Sequence, residues 1–104
     1  MANPIAKLEK AFLRDPDSPL FARLADLYLE EGDTGYALAL CEEGCNAFPD
    51  YSTGFVVLSK CYEDQGDVER AREAMGSALR LDPENPGGYK RLSDLYQQLG
   101  VFPL

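Results

Sequence analysis

Residues 21–32 read FARLADLYLEEG, and the pattern returns twice, as FVVLSKCYEDQG at 55–66 and as YKRLSDLYQQLG at 89–100. The interval is 34 residues each time. Phe21, Phe55 and Tyr89 fall in register, as do Leu24/Leu58/Leu92, Ala25/Ser59/Ser93, Tyr28/Tyr62/Tyr96 and Gly32/Gly66/Gly100. Asp33/Asp67, Ala37/Ala71 and Pro49/Pro83 keep the same spacing. Within one copy, Phe21, Leu24, Leu27 and Tyr28 lie three, six and seven positions along, which is one face of a 3.6-residue helix. A half-buried strand would need alternation at period two, and the sequence has none.

Punctuation fits the same reading. Gly32, Gly66 and Gly100 stand where a first helix must stop, since glycine takes the left-handed C′ conformation without a steric penalty. Asp33 and Asp67 follow at once and suit the N-cap of a second helix. Ser18-Pro19 and Asn85-Pro86 each join a capping side chain to a proline at the first helical position, and Ser52 offers a similar cap. Pro49 and Pro83 close the second helices. The pattern predicts six helices, near 4–14, 19–31, 34–47, 53–65, 68–81 and 86–99. The turn within a pair is short, so its two helices are antiparallel neighbours. Small residues (Ala25, Ser59, Ala37, Ala71, Gly44, Ala78) occupy the positions where such helices cross closely.

On these residues the chain resembles the tetratricopeptide repeat family, whose period is about 34. The resemblance covers a first repeat at 18–51, a second at 52–85 and the first helix of a third at 86–100, with a tail at 101–104. The segment 4–17 resembles the second half of a preceding repeat, because Ala11–Pro16 mirrors Ala78–Pro83 with one residue missing before Phe21. The fold implied is all-α, a right-handed superhelical stack of antiparallel helix pairs in one domain. The chain reads as a piece of a longer array, or as one whose tail folds back over its last helix.

The function implied by the resemblance is an adaptor or scaffold that holds a peptide or protein segment in a concave groove. Carried over, the groove positions are Ala22, Arg23, Asp26 and Leu29 in the first repeat, and Val56, Val57, Lys60 and Glu63 in the second. Lys90, Arg91 and Asp94 come from the third. Adjacent valines cannot face one neighbour, so one of Val56 and Val57 is expected in the groove beside Leu29 and Ala22. Family members that clamp a C-terminal carboxylate use a Lys/Asn/Asn/Lys/Arg set. Here those positions hold Ala22, Asp26, Thr53 and Val57, then Val56, Lys60, Gly87 and Arg91, so that clamp is not expected. Two alternatives to the adaptor remain: a self-associating module joined through Tyr96, Leu99 and Phe102 as a homodimer, or a dedicated client chaperone.

Composition narrows the partners. Ten Lys and Arg against eighteen Asp and Glu give a formal net charge of −8. Nucleic acid and anionic membrane need a basic excess at the contact, so neither is expected as a partner. No apolar run approaches the ~20 residues of a membrane span, and Met1–Pro4 lacks the basic start of a secretory signal. Three cysteines without a CxxC suit a reducing, cytoplasmic setting. Cys41 and Cys45 lie one turn apart and Cys61 could approach them. Zinc, however, usually takes four ligands and the chain has no histidine, so these thiols read as core and neither metal nor cofactor is expected. Lacking histidine, the chain also lacks a Ser/His or Cys/His pair, and it is read as non-enzymatic. Glu42-Glu43 and Glu63-Asp64 read as solvated helix faces.

Overall fold

The computed structural model describes residues 3–100, which form six α-helices and no strand among them: α1 Pro4–Arg14, α2 Leu20–Glu30, α3 Thr34–Ala47, α4 Ser52–Asp64, α5 Val68–Leu81 and α6 Gly88–Leu99. The turn inside each pair shows why they fold back. Gly32 and Gly66 take φ of +86° and +82°. Beyond them the Asp33 amide donates to the Tyr28 carbonyl and the Asp67 amide to that of Tyr62, both at 2.9 Å. This closes the first helix through a left-handed residue. The same two aspartates then cap the second helices, Asp33 accepting from the Tyr36 amide at 3.3 Å and Asp67 from the Arg70 amide at 3.2 Å. One residue thus ends one helix with its backbone and starts the next with its side chain.

Three predicted starts differ, and at α2 Pro19 is the N-cap rather than the first helical residue. Ser52 lies inside α4 rather than at its cap, which is Tyr51. α6 begins at Gly88, because Gly87 at φ +75° breaks the helical path that Pro86 would have opened. Asn85 contributes its carbonyl to the Gly88 amide instead of a side-chain cap. Ser18 does accept from the Leu20 amide at 3.1 Å.

The helices stack in order, α1 on α2, α2 on α3 and on α4, α3 on α4, α4 on α5 and α5 on α6. The assembly is elongated, 48 × 26 × 21 Å. One core cluster, with Phe21, Leu24, Ala25, Ala37, Cys41, Val57 and Cys61, fills the space between α2, α3 and α4. A second, with Ala71, Met75, Ala78, Leu79 and Leu95, joins α5 to α6, and Phe55 and Tyr62 pack against both. Burying a side chain such as Leu24 contributes roughly 1.5–3 kcal/mol. Where α4 crosses α5, the buried Ser59 hydroxyl donates to the Ala71 carbonyl at 2.8 Å. An unpaired hydroxyl there would be costly.

A repeated tyrosine contact ties each first helix to the second helix before it. Tyr28 donates to Glu9 of α1 at 2.8 Å and Tyr62 donates to Glu42 of α3 at 3.1 Å. Glu9 and Glu42 occupy matching places once the single missing residue is allowed for. Helix α1 therefore meets α2 through the same tyrosine–glutamate contact that joins α3 to α4. At the third position Tyr96 has no such acid and instead lies under the Arg72 guanidinium, 5.7 Å from the ring centre.

The three thiols are buried and unpaired. A hydrogen bond to Cys61 and burial push the Cys41 thiol up, and burial pushes Cys45 up to about 11. Neither is a thiolate at neutral pH, so both act as small apolar core groups.

Candidate functional site

The first helices of successive pairs, α2, α4 and α6, are spanned by ion pairs. Lys60 of α4 meets Asp26 of α2 at 3.2 Å, and Arg91 of α6 meets Glu63 of α4 at 2.8 Å. Gln98 adds a second contact to Glu63 at 2.9 Å, and the Thr34 hydroxyl donates to Asp64 at the end of α4. Between these pairs lies an open depression of about 410 Å³ lined by Leu29, Lys60, Glu63, Asp64 and Arg91. Arg23, Lys90 and Asp94 on the same helices are exposed, Lys90 and Asp94 pairing one turn apart at 3.5 Å.

Of the eleven residues expected to line one face, Asp26, Leu29, Lys60, Glu63 and Arg91 meet in these bridges and this depression, whereas two are buried. Ala22 is 1% exposed and Val57 5%, and both belong to the first core cluster. Consecutive residues on a helix diverge by about 100°, so one valine must turn back toward α2 and the other forward. Val57 belongs to the cluster of the earlier repeat, and half-buried Val56 packs against the later cluster. Val57 is thus a core residue, whereas Val56 keeps part of its surface exposed. Paired charges therefore surround Leu29 in the depression, and the buried Val57 does not line it. Gln98 was not singled out by its repeat position, because its role depends on where Glu63 of the preceding repeat reaches.

Tyr96 and Leu99, expected at a homodimer contact, are half-buried on α6. Phe102 lies outside the described residues. Among those residues no group of three or more metal-ligating side chains converges, and no helix is long and apolar enough to cross a membrane.

Comparison with known proteins adds to this geometry. The family described as Tetratricopeptide repeat matches residues 53–85. A mitochondrial pentatricopeptide repeat-containing protein of Arabidopsis thaliana is 31% identical over 86 residues, covering 83% of this chain and 13% of that protein. The TPR repeat-containing protein YpiA of Bacillus subtilis is 28% identical over 100 residues, covering 96% of this chain and 23% of that protein. The chain thus spans less than a quarter of the length of these relatives. Among solved structures, the first TPR of Spaghetti (RPAP3) bound to HSP90 peptide SRMEEVD has a TM-score of 0.86 at 20% identity, covering 93% of this chain and 78% of that one.

Proposed function

We infer that this chain, which belongs to the tetratricopeptide repeat family and so has the fold of a protein–protein interaction module, holds a segment of another polypeptide along the α2–α4–α6 face. The observation that carries this reading is the pair of bridges, Asp26–Lys60 and Glu63–Arg91. They brace the spacing of successive first helices and leave a preformed depression beside Leu29. A preformed surface lowers the ordering cost of binding. Exposed Arg23, Lys90 and Asp94 on the same helices suit a partner of mixed charge, with an affinity that falls as salt rises.

The same bridges speak against an acidic C-terminal peptide as the partner. Lys60 and Arg91 are the two basic side chains at clamp positions, and each already faces a carboxylate of this chain. We place the module in a reducing compartment such as the cytoplasm, a reading supported by its three unpaired thiols. Self-association through α6 is the second reading, supported by Tyr89, which is 60% exposed on that helix. A mass that rises with concentration would favour it.

The test reverses exposed charge without touching the core. Arg23→Glu combined with Lys90→Glu should abolish capture of the partner from a lysate of the source organism, with the melting temperature unchanged. Capture of the same proteins by the wild type and the double variant would refute the assignment of this face. Val57 is not a suitable probe, since its replacement damages the core.

A further inference from the structure

A second cavity, of about 230 Å³, opens between α1, α2 and α3 and shares no lining residue with the α2–α4–α6 face. Its walls include the rings of Phe12, Phe21 and Phe48, and two carboxylates, Asp17 and Glu43, also line it. Phe21 and Phe48 lie nearly parallel, 14° apart with centres at 6.0 Å. No lysine or arginine lines the cavity. Among the described residues neither Asp17 nor Glu43 has an ion-pair partner within 4.0 Å, and both are exposed.

We propose that this cavity receives the alkylammonium side chain of a lysine carried by a basic segment of a partner protein. The volume suits one side chain, because pockets for drug-sized ligands run to about 300–1,000 Å³. The half-buried Phe12 and Phe48 rings would lie along the alkyl stem and attract the cation through their electron-rich faces, with the buried Phe21 ring backing Phe48. Asp17 and Glu43 supply the opposite charge at the same place.

Helix direction adds to this. α1 ends at Arg14 and α3 at Ala47, and the cavity is lined by residues at or just past both ends. The C-terminal end of a helix carries partial negative charge that favours a cation. The last turn of α3 holds no basic residue, whereas the last turn of α5 holds Arg80. The last turn of α1 holds Arg14, which does not line the cavity, so the end of α3 is the one without a cation of its own.

The cavity is particular to the first repeat. By the 34-residue register, Gly44 and Phe48 correspond to Ala78 and Asp82, and with the one missing residue allowed for, Phe12 corresponds to Cys45. A Cβ at Gly44 would fall 2.2–2.5 Å from the Phe21 ring. Only glycine there lets Phe21 lie where it does.

Nuclear magnetic resonance on the whole chain tests the proposal with two probes, Nα-acetyl-lysine methylamide and its norleucine counterpart, which keeps the alkyl chain and loses the ammonium. The lysine probe should shift the amides of Glu43, Gly44 and Phe48 and bind about tenfold more tightly than the norleucine probe, the scale of a desolvated cation–ring contact. Asp17→Asn with Glu43→Gln should weaken the lysine probe about tenfold and leave the norleucine probe and the thermal melt unchanged, since both carboxylates are exposed. Equal binding of the two probes would overturn the proposal and make the cavity a plain apolar pocket. Undiminished lysine binding in the double variant, or no shift at these amides, would overturn it too.

Discussion

The two complete repeats share a backbone and solve their packing in opposite ways. In the first, Phe21 is 1% exposed and sinks between α3 and α4, against Gly44 on one side and Gly54 on the other. In the second, the matching Phe55 stays half-buried. There Ala78 replaces Gly44, and Leu79 replaces Cys45 and reaches across to Gly88, 2.6 Å from where that residue's Cβ would be. A large ring with small neighbours fills one interface, and a larger aliphatic neighbour with a displaced ring fills the other. Equal packing density can be reached by either route. The difference lies in which side chain is indispensable.

Truncating the rings should separate the repeats most. Phe21→Ala should cost about 3–5 kcal/mol in urea denaturation, near the whole stability of a small domain, whereas Phe55→Ala should cost about half as much. Equal losses would remove the distinction between the two interfaces.

A methyl group should separate them next. Gly44→Ala must displace a fully buried ring, so a loss of about 1–3 kcal/mol is expected despite the better helix propensity of alanine. The matching change in the second repeat, Ala78→Gly, should cost about 0.5–1 kcal/mol from helix propensity, plus whatever cavity it leaves. A raised melting temperature for Gly44→Ala would show that Phe21 can withdraw without penalty.

The smallest effect concerns the tyrosines. The hydrogen bond to Glu9, aided by burial, pushes Tyr28 up to about 12, while burial and Glu42 push Tyr62 up as well. A folded value above the unfolded one means that this contribution is intact below pH ~10 and is lost as the pH rises through the folded value. Ultraviolet titration should therefore show a tyrosine ionising near 12 in the wild type, moving toward its ordinary value in Glu9→Gln. No change in the variant would show that Glu9 does not hold the phenol.

Much of the fold was legible because its signals are local. Helix α3 was read at 34–47 and found there, since Asp33 caps its start and Pro49 follows its end. Asp33 and Asp67 could be assigned as caps because a cap acts on amides only three residues away. Gly87 defeated the same logic at α6, since its left-handed backbone depends on how the 82–88 turn meets the preceding helix. Gly54 and Gly88 sit 34 residues apart, and that spacing is the sequence signal of their close contacts. Phe48, standing where the next repeat has Asp82, was a similar unread sign of the cavity beside it.

By itself, then, the sequence determined the helices, their pairing and the stacking of one pair on the next, because a 34-residue period, helical spacing and capping act within a few turns of chain. Tertiary structure alone decided that Ala22 and Val57 point inward, that Lys60 and Arg91 are already engaged, and that three phenylalanines from different segments meet around one cavity. Those outcomes depend on the rotation of each helix about its axis and on its distance from its neighbours. Both are set by the summed volumes of side chains far apart in sequence, and no local pattern encodes them.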